Sequence, residues 1–108
     1  MLFRSFDFWT LDFVTHLPSD SGYNCLLVCV DKLTKFTKLV PCFMAEGKLS
    51  THTVASLFFA YVVRHFGVPS TVLSDRDLRF TAAFWNALWR ILGGKVLLSS
   101  AFHPQTDG

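Results

Sequence analysis

Thr71-Val72-Leu73-Ser74-Asp75-Arg76-Asp77 reads as a short strand that runs straight into a carboxylate-bearing turn. Its β-branched and apolar residues favour extended chain, and Asp75 stands where the strand ends. In open α/β sheets, ligands gather at the carboxyl ends of strands. The flanks of the stretch decide the fold class. Upstream, Val54, Leu57, Phe58, Tyr61 and Val62 recur at helical spacing. Ser50 or Thr51 is placed to cap that helix, Arg64 and His65 fall in its last turn, and Gly67 follows as a stop. Downstream, Thr81 to Leu92 repeats the pattern with Phe84, Trp85, Leu88, Trp89, Ile91 and Leu92, closed by Gly93-Gly94. Val96 to Ser99 then reads as a further strand. Strands joined through helices imply parallel crossovers.

Three more strands precede the first helix. Phe8 to Leu17 is aromatic and β-branched, and the cluster Pro18-Ser19-Asp20-Ser21-Gly22 ends it in a turn. Asn24 to Val30 is a near-continuous apolar run, as expected of a strand buried on both faces. Phe36 to Phe43 offers a third strand, in which Pro41 argues for a sheet edge or a strand end. The order β-β-β-α-β-α-β predicts an α/β protein with a mixed five-stranded sheet flanked by helices.

Length and composition bound what such a domain can do. The 108 residues predict one domain spanning 1–108. The 17% charged content excludes a disordered, highly charged chain. The longest stretch without a formal charge, Leu49 to Val63, is interrupted by Ser, Thr and His and falls short of the roughly 20 apolar residues of a spanning helix. Arg4, Asp7 and Asp12 break up any leader-like run, so the expectation is a soluble, intracellular protein without a membrane partner. Cys25, Cys29 and Cys42 lack zinc-type spacing and read as buried thiols in a reducing compartment. The net charge of +2 neither demands nor forbids nucleic acid. Lys32, Lys35 and Lys38 recur every third residue, which suits a solvated face or a phosphate-contacting one.

The carboxylates are the residues that sit oddly. Asp12 interrupts an apolar strand between Leu11 and Phe13, although aspartate is depleted in strands. If the first and fourth strands are neighbours, Asp12 and Asp75 meet, and two close acids repel unless a cation lies between them. Hard divalent ions take such oxygen ligands, and a pair of carboxylates suits phosphoryl transfer. The plainer alternative is that Asp12 faces water on an edge strand and Asp75 shapes a turn or starts a helix. Asp31 precedes Lys-Leu-Thr-Lys and shapes that turn, while Asp77 lies between Arg76 and Arg79 for a local ion pair. His103 has no metal-spaced companion, and there is no glycine-rich phosphate loop.

At these residues the sequence resembles the catalytic core of integrases encoded by gypsy-class LTR retrotransposons, relatives of retroviral integrases. The resemblance runs through Leu11-Asp12-Phe13-Val14-Thr15-His16-Leu17-Pro18, Val30-Asp31-Lys32-Leu33-Thr34-Lys35 and Phe66-Gly67-Val68-Pro69. Its most specific parts are Leu73-Ser74-Asp75-Arg76-Asp77-Leu78-Arg79-Phe80-Thr81 with Phe84-Trp85, and Ser99-Ser100-Ala101-Phe102-His103-Pro104-Gln105-Thr106-Asp107-Gly108. The resemblance implies a ribonuclease-H-like fold and a two-metal polynucleotidyl transferase that processes DNA 3′ ends and joins them to target DNA. It implies that Asp12 and Asp75 are the first two catalytic carboxylates, holding magnesium or manganese. One ion activates water or a DNA 3′-hydroxyl and the other steadies the leaving oxygen. Lys32, Lys35, Lys38, His103 and Gln105 are then candidates for contact with DNA. A homo-oligomer and a nuclear location are implied for the full-length element protein.

The family's third carboxylate is a glutamate on the helix after the His-Pro-Gln loop, and its place falls just past Gly108. Glu46 lies in the wrong segment to replace it. The expectation is therefore a core truncated before its last catalytic acid and inactive in isolation. The alternative class is a non-catalytic, ribonuclease-H-like module that binds nucleic acid or a protein partner.

Overall fold

In a computed structural model, the structure describes residues 5–15, 22–45, 49–74 and 78–102, with backbone alone at 78 and at 95–102. Aromatic, β-branched and other apolar runs form the strands β1 (Phe8–Val14), β2 (Cys25–Asp31), β3 (Thr37–Cys42) and β4 (Thr71–Ser74). They make one mixed sheet in the order β3-β2-β1-β4. The β1–β2 and β2–β3 pairs are antiparallel, and β4 lies parallel to β1 after the helical crossover. Pro41 falls on β3, at the sheet edge, where its missing N–H costs no inner ladder bond.

The helical crossover starts at α1 (Thr51–Phe58), where Ser50 Oγ accepts the Thr53 N–H at 3.1 Å as the N-cap. A π-helical turn, Phe59–Val63, follows, with the Arg64 N–H reaching back to the Phe59 carbonyl. The short α2 (Arg64–Phe66) ends at Gly67, whose φ of 89° is open to glycine at little cost. The inserted π turn moves the buried stripe to Val54, Ala55, Phe58, Val62 and Val63 and leaves Tyr61 exposed, unlike the spacing expected of an unbroken helix.

Among the described residues, the long α3 (Leu78–Phe102) corrects the expected strand count from five to four. Val96 to Ser99 is helical, because Gly93-Gly94 does not terminate the helix. Neither glycine takes the left-handed conformation seen at Gly67. Glycine inside a helix costs only about 1 kcal/mol relative to alanine. A short apolar run such as Val96-Leu97-Leu98 suits either state, and it continues the helix that precedes it.

The helices pack on one face of the sheet among the described residues. Trp9, Leu11, Cys25, Leu27, Cys29, Val40 and Val72 meet Val54, Phe58, Val62, Phe84 and Leu88 in one buried cluster. Edge-to-face rings link the layers, with Trp9 to Phe58 at 6.2 Å and Phe58 to Phe84 at 5.4 Å between centroids. The indole N–H of Trp9 donates to the Phe6 carbonyl at 3.0 Å. This one-sided packing also corrects the reading of β2 as buried on both faces: Cys25, Leu27, Cys29 and Asp31 are buried, whereas Leu26, Val28 and Val30 are half-buried.

Candidate functional site

Strand alternation puts Phe8, Thr10, Asp12 and Val14 on the face of β1 opposite the helices. Asp12 is exposed there, on a central strand between β2 and β4. It faces water, but from the middle of the sheet and not from an edge. Its Oδ1 accepts the Phe13 N–H at 2.8 Å, which fixes the carboxylate close to its own backbone. On the β2 side Asp12 is in register with Val28, so no cation sits directly across the ladder.

The β4 side gives the site its shape. Parallel pairing sets Thr10 beside Leu73 and Leu11 beside Ser74, the last residue of β4. Thr10, Leu11, Asp12, Leu73 and Ser74 line a shallow, open cavity of about 360 Å³. The condition on which the carboxylate pair depended, adjacency of the first and fourth strands, is met. Asp75 itself lies outside the described residues, as do Asp77, His103 and Gln105. Among the described residues no three His, Cys, Asp or Glu side chains group together as a metal site. The arrangement thus offers one exposed hard-oxygen ligand beside a mostly apolar opening, with Thr10 and Ser74 among its lining, at the carboxyl ends of two parallel strands.

The structure separates the lysines from this cavity. β2 runs antiparallel to β1, so the turn after Asp31 lies at the end where β1 begins, about 10 Å along the strand from Asp12. Lys32 sits there with its ammonium 5.7 Å from the Phe8 ring centroid, and Lys35 holds a positive φ of 67° in the same turn. Lys38 is on the helix side of β3, its ammonium 5.9 Å from the Tyr61 ring. The three do not form one patch with Asp12.

Asp31 shapes its turn as the sequence suggests, and more. It is fully buried, with Oδ2 accepting from Thr34 N–H at 3.0 Å and Thr34 Oγ at 2.6 Å. Its Oδ1 accepts the Phe6 N–H at 3.0 Å, tying the segment before β1 to the β2–β3 turn. A second strut is not legible in the chain: Ser70 donates from N and Oγ to the Asp7 carboxylate at 3.1 and 2.8 Å, across 63 residues. That strut fixes the start of β4 against the start of β1 and so sets the register that brings Ser74 beside Leu11. Only the pairing of two turn-forming residues at strand entrances hints at it. Among the described residues no helix is long and apolar enough to cross a membrane.

No protein-family model matches the chain. Over 105 residues, 97% of its length, it is 34% identical to Transposon Tf2-3 polyprotein of Schizosaccharomyces pombe, and equally to the Tf2-4 and Tf2-5 polyproteins. The chain spans about 8% of the length of these curated relatives. It is thus homologous to one segment of much longer transposon polyproteins.

Proposed function

We propose that this segment is the catalytic core of a gypsy-class retrotransposon integrase with a ribonuclease-H-like fold, acting on DNA ends and target DNA. The observation that carries the reading is the parallel β1–β4 pairing, which sets Asp12 beside the strand from whose last residue Asp75 follows by one peptide bond. Homology to transposon polyproteins supports the same class of protein.

In this reading Asp12 and Asp75 hold magnesium or manganese. The donor chemistry fits, since an exposed carboxylate on an open sheet face is a hard-oxygen ligand that needs little rearrangement. Bound divalent ions supply charge neutralisation at the phosphate and lower the pKa of an attacking water or 3′-hydroxyl. The chain's own part is positioning. β1 holds Asp12 on a rigid sheet, and the Phe13 N–H orients its carboxylate through a hydrogen bond at 2.8 Å. Thr10 and Ser74 border the opening where a phosphate would lie. Lys32, Lys35 and Lys38 contact the DNA backbone away from the reacting phosphate, and His103 and Gln105 are further candidates for contact with DNA. The working protein is a nuclear homo-oligomer.

Manganese titration tests this reading. The wild-type chain should bind the ion, and Asp12→Asn and Asp75→Asn should each weaken binding at least tenfold. Identical titration curves for all three would overturn it.

A second reading, a non-catalytic module that binds nucleic acid or a protein, draws on the open sheet face, where Leu39 and Leu73 are about half exposed. DNA binding indifferent to manganese and to both aspartates would favour it.

A further inference from the structure

Cys25 and Cys42 stand directly opposite one another on the antiparallel strands β2 and β3, with their Sγ atoms 2.8 Å apart. Both are free, buried thiols, and the Cys25 thiol also lies 3.3 Å from the Cys42 carbonyl oxygen. Facing residues of antiparallel strands have Cα separations of about 4.5–5.5 Å, inside the range of about 4.4–6.8 Å that a disulfide accepts. Only the sulfurs need to close, which side-chain rotation can supply. Cys29 shares the buried face but is in register with Lys38, and four residues along a strand put it about 13 Å from Cys25. It is a built-in control.

We propose that Cys25 and Cys42 are a redox pair, converted by a peroxide-class oxidant into a cross-strand disulfide that pins the edge strand β3 to β2. The Cys42 thiolate attacks a peroxide oxygen, breaking the O–O bond and leaving a sulfenic acid; with hydrogen peroxide the leaving hydroxide takes up the proton the thiol lost and departs as water. The Cys25 thiolate then attacks that sulfur, forming the S–S bond and expelling hydroxide, which takes up a proton as a second water. Two thiols are oxidised by two electrons and one peroxide is reduced, so the step balances.

Position and burial set the order and the rate. Among the described residues β3 is bonded to the sheet on one side only, so its local opening exposes Cys42 before the central strands yield. In the closed fold, burial pushes the Cys42 thiol up to about 12, which keeps it protonated and slow to react. Oxidation therefore follows opening of the edge, and the disulfide then suppresses that opening. This inference is independent of the integrase reading.

Treating the intact chain with hydrogen peroxide and mapping it without reduction tests the pair. The expected product has lost two hydrogens and joins Cys25 to Cys42, with Cys29 still open to alkylation. The amides of β3 should exchange with solvent at least tenfold more slowly, and dithiothreitol should reverse both changes. Cys42→Ser should lose the linkage, while Cys29→Ser should keep it. The proposal fails if no linkage forms, if Cys42 proceeds to sulfinic acid, if Cys29 enters the pairing as often as in urea, or if β3 exchange is unchanged.

Discussion

The two faces of the sheet are written in the same strands, one residue apart, and they differ in almost every property. On the helix side Trp9, Leu27 and Val40 are completely buried. On the other side Val14, Leu39 and Leu73 are 42%, 53% and 47% exposed, and the strand between them carries Asp12. The covered face supplies packing. The open face supplies the carboxylate, the polar rim of Thr10 and Ser74, and room for a large ligand. The packed core and the candidate site are thus divided by the pleat, so substitutions one residue apart should have unlike effects.

The sharpest test of that division pairs Leu27 with Leu39. Leu27→Ala empties a fully buried position and should lower unfolding stability by about 2–5 kcal/mol. Leu39→Ala removes a half-exposed side chain from the edge and should cost less than about 1 kcal/mol. Urea denaturation followed by tryptophan fluorescence measures both, and equal losses would break the comparison. An effect below the upper range for Leu27 is expected at Asp31, which is polar yet buried. Asp31→Ala removes the acceptor of three hydrogen bonds, two of them from backbone N–H groups, and should cost about 2–3 kcal/mol. The same denaturation series reads it, and a loss below about 0.5 kcal/mol would show that water replaces the carboxylate.

Much of the fold was legible in the chain, although the division between the sheet faces was not, since β2 read as buried on both. Aromatic, β-branched and apolar runs marked all four strands, Pro41 marked the edge, Ser50 and Gly67 marked the limits of the crossover helix, and Asp31 marked its turn. What stayed hidden depends on partners distant in sequence or on a choice between states of similar energy. Val96 to Ser99 suits a strand as well as a helix, and α3 resolves it by continuing through Gly93-Gly94. The π turn at Phe59–Val63 has no residue signature, because Phe, Ala, Tyr and Val fit either helical register. The Asp7–Ser70 strut and the Cys25–Cys42 approach arise only when strand pairing brings remote residues together. For the candidate site, Asp12 was conspicuous as an acid in an apolar strand, whereas its neighbours Thr10 and Ser74 are ordinary strand residues until β1 and β4 pair.

The central claim is that the open face, at the carboxyl ends of β1 and β4, is a divalent-ion site. Paramagnetic manganese tests it most directly, by broadening the amide resonances of nearby residues in the wild-type chain. The account predicts early loss of signal from Leu11, Asp12, Phe13 and Ser74, little change at Lys32 to Phe36, and no such pattern in Asp12→Asn. Broadening centred on the β2–β3 turn, or a pattern unchanged in Asp12→Asn, would contradict it.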